Sequence, residues 1–186
     1  DAAVTAGAVL VGIQTLVSRN LSPVNPAVST VGKIQGGTAG NIICSQVTMD
    51  GILRSLNPET RQLLRERLTD MAENTARAYG CTAQVVFRPS YPALINCDEV
   101  VDVVKETACQ VLGRDHVTAE REPDLGTEDF SYFAQERPSC FWHLGCADFA
   151  GGIDADLHNC RFDIDEKCLA AGVKVQVLSA LKLLEK

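Results

Sequence analysis

No apolar run in this chain approaches the roughly 20 residues that a helix needs to cross a bilayer, so no membrane partner is expected. No basic stretch leads into an apolar one at the start, and no signal peptide is predicted. Lys and Arg are nowhere clustered. The net charge of −7 is spread along the chain, which argues against a nucleic-acid partner held through its phosphates. The eight cysteines include no C-x-x-C pair, which argues against a zinc knuckle or a thioredoxin motif. Histidine is scarce: His116, His143 and His158 are the three, with no His-x-His or His-Glu-x-x-His among them. A dinuclear metal site needs several His and carboxylate ligands, and three dispersed histidines do not supply one. Gly-x-Ser-x-Gly elbows and phosphate-cradling Walker loops are also missing.

What is present is an ordinary globular balance. The 186 residues are 46% hydrophobic and 22% charged, enough for one domain or two small ones. Several cysteines sit in apolar stretches, such as Cys109 in VVKETACQVLG and Cys140 in SCFWHLG. Free thiols in a reducing cytoplasm are expected, the alternative being a disulfide-stapled secreted protein. The chain opens without Met and already in helical pattern, so it is expected to be a piece of a longer one.

Val9, Ile13, Leu16 and Val17 predict an amphipathic helix over 2–18, broken by Ser22-Pro23 and Asn25-Pro26. Strands are expected at 27–34 and 46–55, joined through the Gly-rich loop 35–41. Asn57-Pro58-Glu59 reads as a helix start, with Leu64, Leu68, Met71 and Thr75 on one face and Gly80 as the stop. Residues 82–88 alternate as a strand, with Ala83, Val85 and Phe87 on one side. The order α-β-β-α-β is that of a ferredoxin-like unit lacking its first strand.

Pro89-Ser90-Tyr91-Pro92 then reads as a linker, giving domains of 1–95 and 96–186. The second is expected to hold a helix at 97–112, with Val100, Val104, Ala108 and Val111 inward and Gly113 as its stop. A short strand is expected at 116–120 and a short helix at 127–135 with Glu128 and Asp129 in its first turn. A buried strand follows at 140–145, then a long loop, and a last helix from about Asp165 with Leu169, Val173, Val177 and Leu181 on its stripe. His143, inside the apolar strand, is expected in the core, and His116 exposed.

Four segments carry more: VSTVGKIQGGTAGNIIC (28–44), GILRSLNPETRQLLRERL (51–68), GTEDFSYFAQERP (126–138) and LHNCRFDIDEKCL (157–169). In their order and separation they resemble the peptidase M20 family, in particular its amidohydrolase branch acting on N-acyl amino acids. The resemblance implies an α/β (α+β) chain: a ferredoxin-like lid, which often pairs two subunits into a homodimer, and the C-terminal part of a zinc-peptidase-like catalytic domain. It implies a small N-acyl amino acid or peptide substrate and two divalent metal ions, zinc or manganese, in the intact enzyme. Most metal ligands and the general-base glutamate belong to a half of the family not matched here. This chain is therefore expected to hold no catalytic residue, to bind metal weakly at most, and to be inactive alone. The rival reading is a non-catalytic dimerisation or binding module.

Particular residues follow from the resemblance. His158 matches a Leu-His-Ser metal ligand, with Asn159 in place of Ser; the alternative is a loop histidine in water. Asn41 matches the asparagine of a Gly-Gly-x-Ala-x-Asn segment that reaches towards substrate; the alternative is a turn residue. Gln35 stands where the family often has His, and Cys44 where it often has Pro. Gly36 and Gly37 would admit a close ligand or form a bulge or turn. Arg54 would clamp a substrate carboxylate or lie on a strand surface. Glu128 and Asp129 match a Gly-Glu-Asp-Phe segment lining the cleft; the alternative is acid at a helix N-terminus.

Overall fold

The structure, a computed structural model, describes residues 1–88, 90–119 and 123–185. The chain folds as two compact units. The first holds Asp1–Ala93 together with Asp124–Glu128, and the second holds Leu94–Pro123 with Asp129–Lys186.

In the first unit the Asp1 carboxylate accepts from the amides of Ala3 and Val4 and so caps α1 (Ala2–Ile13). The expected helix 2–18 is interrupted at Gln14, and α2 (Thr15–Asn20) continues it. The Thr15 hydroxyl donates to the Gly12 carbonyl at 2.8 Å, a local bond that competes with the regular helical ladder. Val9, Ile13 and Leu16 are still buried together, so the predicted apolar face stands. β1 (Ala27–Gly36) pairs antiparallel with β2 (Val47–Ser55). The register shifts between Val31 and Lys33, which makes Gly32 a bulge.

α3 (Pro58–Ala78) begins as the sequence predicts: the Asn57 side chain accepts from the Glu59 and Thr60 amides, with Pro58 in the first turn. It stops just before Gly80, whose φ of +69 lies in the left-handed region. The Cys81 amide donates to Ala76 O at 2.8 Å and the Gly80 amide to Arg77 O at 3.1 Å, which satisfies two of the last carbonyls. Leu64 and Ala72 of α3 close the core against α1 and α2. Residues 82–88 correct an expectation. Ala83, Val85 and Phe87 are the half-buried side, and Ala83 and Val85 pack on the core, but the segment joins no ladder among the described residues. Alternation fixes which side chains point inward; a strand also needs a partner for its amides. The Arg65 guanidinium lies 4.7 Å from the Phe87 ring centre instead.

In the second unit α4 (Asp98–Leu112) packs against α6 (Lys167–Leu184). Gly113 ends α4 at φ +89. The buried positions of α4 are Val103, Thr107 and Ala108, while Val100, Val104 and Val111 are half-buried, so the inward face is rotated from the expected one. Arg114–His116 form one turn of 3-10 helix, and no strand forms at 117–119; Glu120 lies outside the described residues. Residues 140–145 are not a strand either. At Phe141 the backbone partner is a side chain: Asn96 donates to Phe141 O at 2.8 Å and accepts from Phe141 N at 2.7 Å. His143 is exposed, with its ring edge-on to Phe141 at 5.4 Å, rather than in the core. α5 (Phe130–Glu136) starts later than predicted, so Glu128 and Asp129 precede it instead of occupying its first turn.

In α6 the four predicted residues do share one face, and that face is uncovered. The predicted stripe is exposed: Leu169 by 50%, Val173 by 62%, Val177 by 51% and Leu181 by 50%. The helix buries Val175 and Ser179, with Ala171 and Gly172 half-buried on the same side. A Cβ at Gly172 would come within 2.7 Å of Leu144 Cδ2, so small residues permit this close packing. All eight cysteines are free thiols. Among the described residues, no helix is long and apolar enough to cross a membrane.

Candidate metal and substrate site

The candidate residues divide between the units: Asn41, Arg54 and Glu128 lie in the first, and Asp129 and His158 in the second.

β1 runs out at Gly36 and the chain turns through Gly37, whose φ of +79 suits glycine. Gly36 is required for a different reason. A Cβ there would stand 2.7 Å from Val47 Cγ2 and 2.8 Å from the Gln46 carbonyl oxygen. These two glycines are therefore structural, and they set up the turn in which the Ile42 amide donates to Ala39 O at 3.1 Å. The Ala2 amide donates to Cys44 O at 2.9 Å and ties the far end of the loop to α1. Gln35, opposite Thr48, is exposed on the strand.

Asn41 is exposed on this loop, and its side chain has no hydrogen-bond partner among the described residues. It opens on a groove of about 690 Å³ whose walls include Leu10, Ile34, Ile42, Ile43 and Val47. That size falls within the range of small-ligand sites, in which a few polar groups orient a ligand against apolar walls. The sequence names Asn41 as a candidate but not the walls beside it; the apolar pair Ile42-Ile43 directly after it was the available signal.

Arg54, on β2 opposite Val28, is half-buried. Its Nη1 donates to the Leu125 carbonyl at 2.9 Å. Glu128 is half-buried three residues further on, and Asp129, at the cap position of α5, makes no side-chain capping bond. No sequence signal marks a backbone carbonyl 71 residues away as the partner of an arginine.

His158 sits in the loop between the Asp148–Ile153 bridge and α6. It is exposed and has φ +63, the left-handed region that a non-glycine residue seldom adopts. The loop is held by its neighbours: Asn159 N donates to Asp156 O at 3.3 Å, and Asn159 Oδ1 accepts from the Arg161 amide at 2.9 Å. Among the described residues, no three His, Cys, Asp or Glu side chains are grouped so as to hold a metal ion. The exposed imidazole fits one ligand position. The described donors do not by themselves fit a dinuclear centre, which needs at least three or four protein ligands.

Two thiols have displaced acidities. A hydrogen bond from the Thr5 hydroxyl, at 3.2 Å, lowers the pKa of Cys81. Burial raises that of Cys140.

Residues 4–182 match the model of the peptidase family M20/M25/M40. Among curated relatives, the N-acetyldiaminopimelate deacetylase of Bacillus pumilus is 33% identical over 177 residues, covering 94% of this chain and 45% of that protein. The N-acetylcysteine deacetylase of Bacillus subtilis is 31% identical over 185 residues, covering 100% of this chain and 47% of that protein. Among solved structures, the Bacillus subtilis YXEP protein, a dinuclear metal binding peptidase from the M20 family, superposes with a TM-score of 0.83 at 26% identity. That superposition covers 100% of this chain and 46% of the other. The chain thus spans a little under half the length of these relatives. Its order of helices and strands, its Gly-rich turn bearing Asn41 and its match from residue 4 to residue 182 lead to one statement: the chain belongs to peptidase family M20/M25/M40.

Proposed function

We propose that this chain is the lid and the closing part of the catalytic domain of a metal-dependent amidohydrolase that cleaves N-acyl amino acids or small peptides. The observation that carries the reading is the bare amide of Asn41 at an apolar groove. A carboxamide can donate to a substrate carboxylate and accept from an amide N–H, while the isoleucine walls take an acyl or side-chain group. The relatives named as deacetylases of N-acetyl amino acids support that substrate class.

In this reading His158 contributes one metal ligand, and the remaining ligands and the general base come from residues outside this chain. Two divalent ions, zinc or manganese, supply polarisation of the scissile carbonyl when bound. Arg54 keeps further N–H donors beside the one given to Leu125, and these serve a carboxylate. Glu128 is a further substrate contact in this reading, apart from the Asn41 groove, whose walls do not include it. The chain by itself is inactive, is cytoplasmic, and pairs with a second copy through the first unit.

The purified chain, incubated with N-acyl amino acids and zinc or manganese, is expected to show no turnover, and robust hydrolysis would refute the incomplete site. In an NMR titration with N-acetyl amino acids, the side-chain amide signals of Asn41 are expected to shift. If they stay fixed up to millimolar ligand, the substrate reading fails. Sedimentation over a range of concentrations tests the pairing.

A further inference from the structure

Among the described residues beyond Ala93, 124–128 alone belong to the first unit. The chain enters this strip from Pro123 and leaves it at Asp129, both in the second unit. A five-residue strip with no helix or strand of its own needs something to hold it. Within it, the Gly126 amide donates to the Asp124 carboxylate at 2.8 Å, which shapes the turn but attaches it to nothing. One attachment is the Arg54 guanidinium, which donates from β2 to the Leu125 carbonyl at 2.9 Å. Both residues are half-buried, so the bond is partly shielded from competing water. A charged donor on a backbone acceptor is among the stronger hydrogen bonds.

We infer that Arg54 is a positioning residue: it grips the 124–128 strip through the Leu125 carbonyl and so helps to set the path of the chain into Glu128. That Glu128 faces substrate rests on the function proposed above; the grip itself does not. The Leu125 carbonyl takes a single N–H from Arg54, so a lysine can replace the arginine here. A carboxylate clamp uses two parallel N–H groups and tolerates no such exchange. The two roles therefore separate by substitution.

The test is hydrogen exchange, read amide by amide, on the full chain without substrate or metal. Arg54→Met is expected to accelerate exchange at residues 125–128 by about tenfold or more, the amount expected for losing a charged hydrogen bond, while α3 amides keep their rates. Arg54→Lys is expected to restore most of the protection. Unchanged exchange at 125–128 in Arg54→Met overturns the inference, and so does a failure of Lys to restore it. Should the Met variant not fold, the unaltered chain decides. Arg54 Nη–H signals resolved at low temperature, showing slowed rotation, support the grip, and fully averaged ones overturn it. Because no ligand is present, these outcomes stand apart from the success or failure of the hydrolase reading.

Discussion

Adding one methyl group at each of three glycines in the loop that carries Asn41 should give three different answers. At Gly36 the new Cβ meets Val47 Cγ2 at 2.7 Å and the Gln46 carbonyl oxygen at 2.8 Å. The valine rotamer can move, but the carbonyl belongs to the backbone beside β2 and cannot without loosening the pairing of Gly36 with Val47. Gly36→Ala is therefore expected to cost about 1–3 kcal/mol, the usual range for overpacking. At Gly37 there is open space, but φ is +79, so Ala is strained by about 1–2 kcal/mol from backbone alone. At Gly40 there is open space and no left-handed φ, so Ala is expected to be neutral or to stabilise by about 0.4–1 kcal/mol by restricting the unfolded chain. Urea unfolding followed by far-ultraviolet circular dichroism reads the series. With a slope of about 1–3 kcal/mol per molar urea, the first two variants shift the midpoint by several tenths of a molar or more. A Gly40→Ala variant that loses as much stability as Gly36→Ala would refute the reasoning, because nothing in the geometry opposes its side chain.

Other outcomes follow from single features. Asn57→Ala removes both capping bonds of α3 and is expected to lower stability by about 1 kcal/mol in the same unfolding experiment. Leu64→Ala empties a fully buried site between α3 and the first two helices and should cost about 2–5 kcal/mol. Cys81 should react with iodoacetamide at a lower pH than Cys140, since a lowered pKa keeps more thiolate and burial keeps less. Thr5→Val should move the Cys81 labelling profile to higher pH, as read by mass spectrometry. His158→Gly should relieve the left-handed strain and raise stability by about 1 kcal/mol, whereas His158→Ala should not.

The sequence was most legible where one residue settles one local question. Asn57-Pro58 and Gly80 fixed both ends of α3 because caps and left-handed stops depend on near neighbours alone. It was least legible where the question concerned a distant partner. The leucine–valine stripe of α6 was readable as apolar, but the helix buries its opposite face, where Val175 and Ser179 are covered and Gly172 lies close to Leu144. Periodicity identifies a face that avoids water, not the element that covers it. The same limit applies at 140–145, whose backbone groups found the amide of Asn96 in place of a neighbouring strand. Among the candidate residues, Asn41 and His158 were named through motif resemblance, and both lie exposed on loops. The acceptor of Arg54 was invisible because a carbonyl carries no residue identity.

The first unit is not one continuous stretch of sequence. Expressing residues 1–93 as an isolated piece would cut away the short return strip and strand the β2 arginine beside a half-dry gap where a peptide oxygen used to be. Such a piece would report the properties of an incomplete first unit, because the fold of that unit draws on a strip of chain some thirty residues further on.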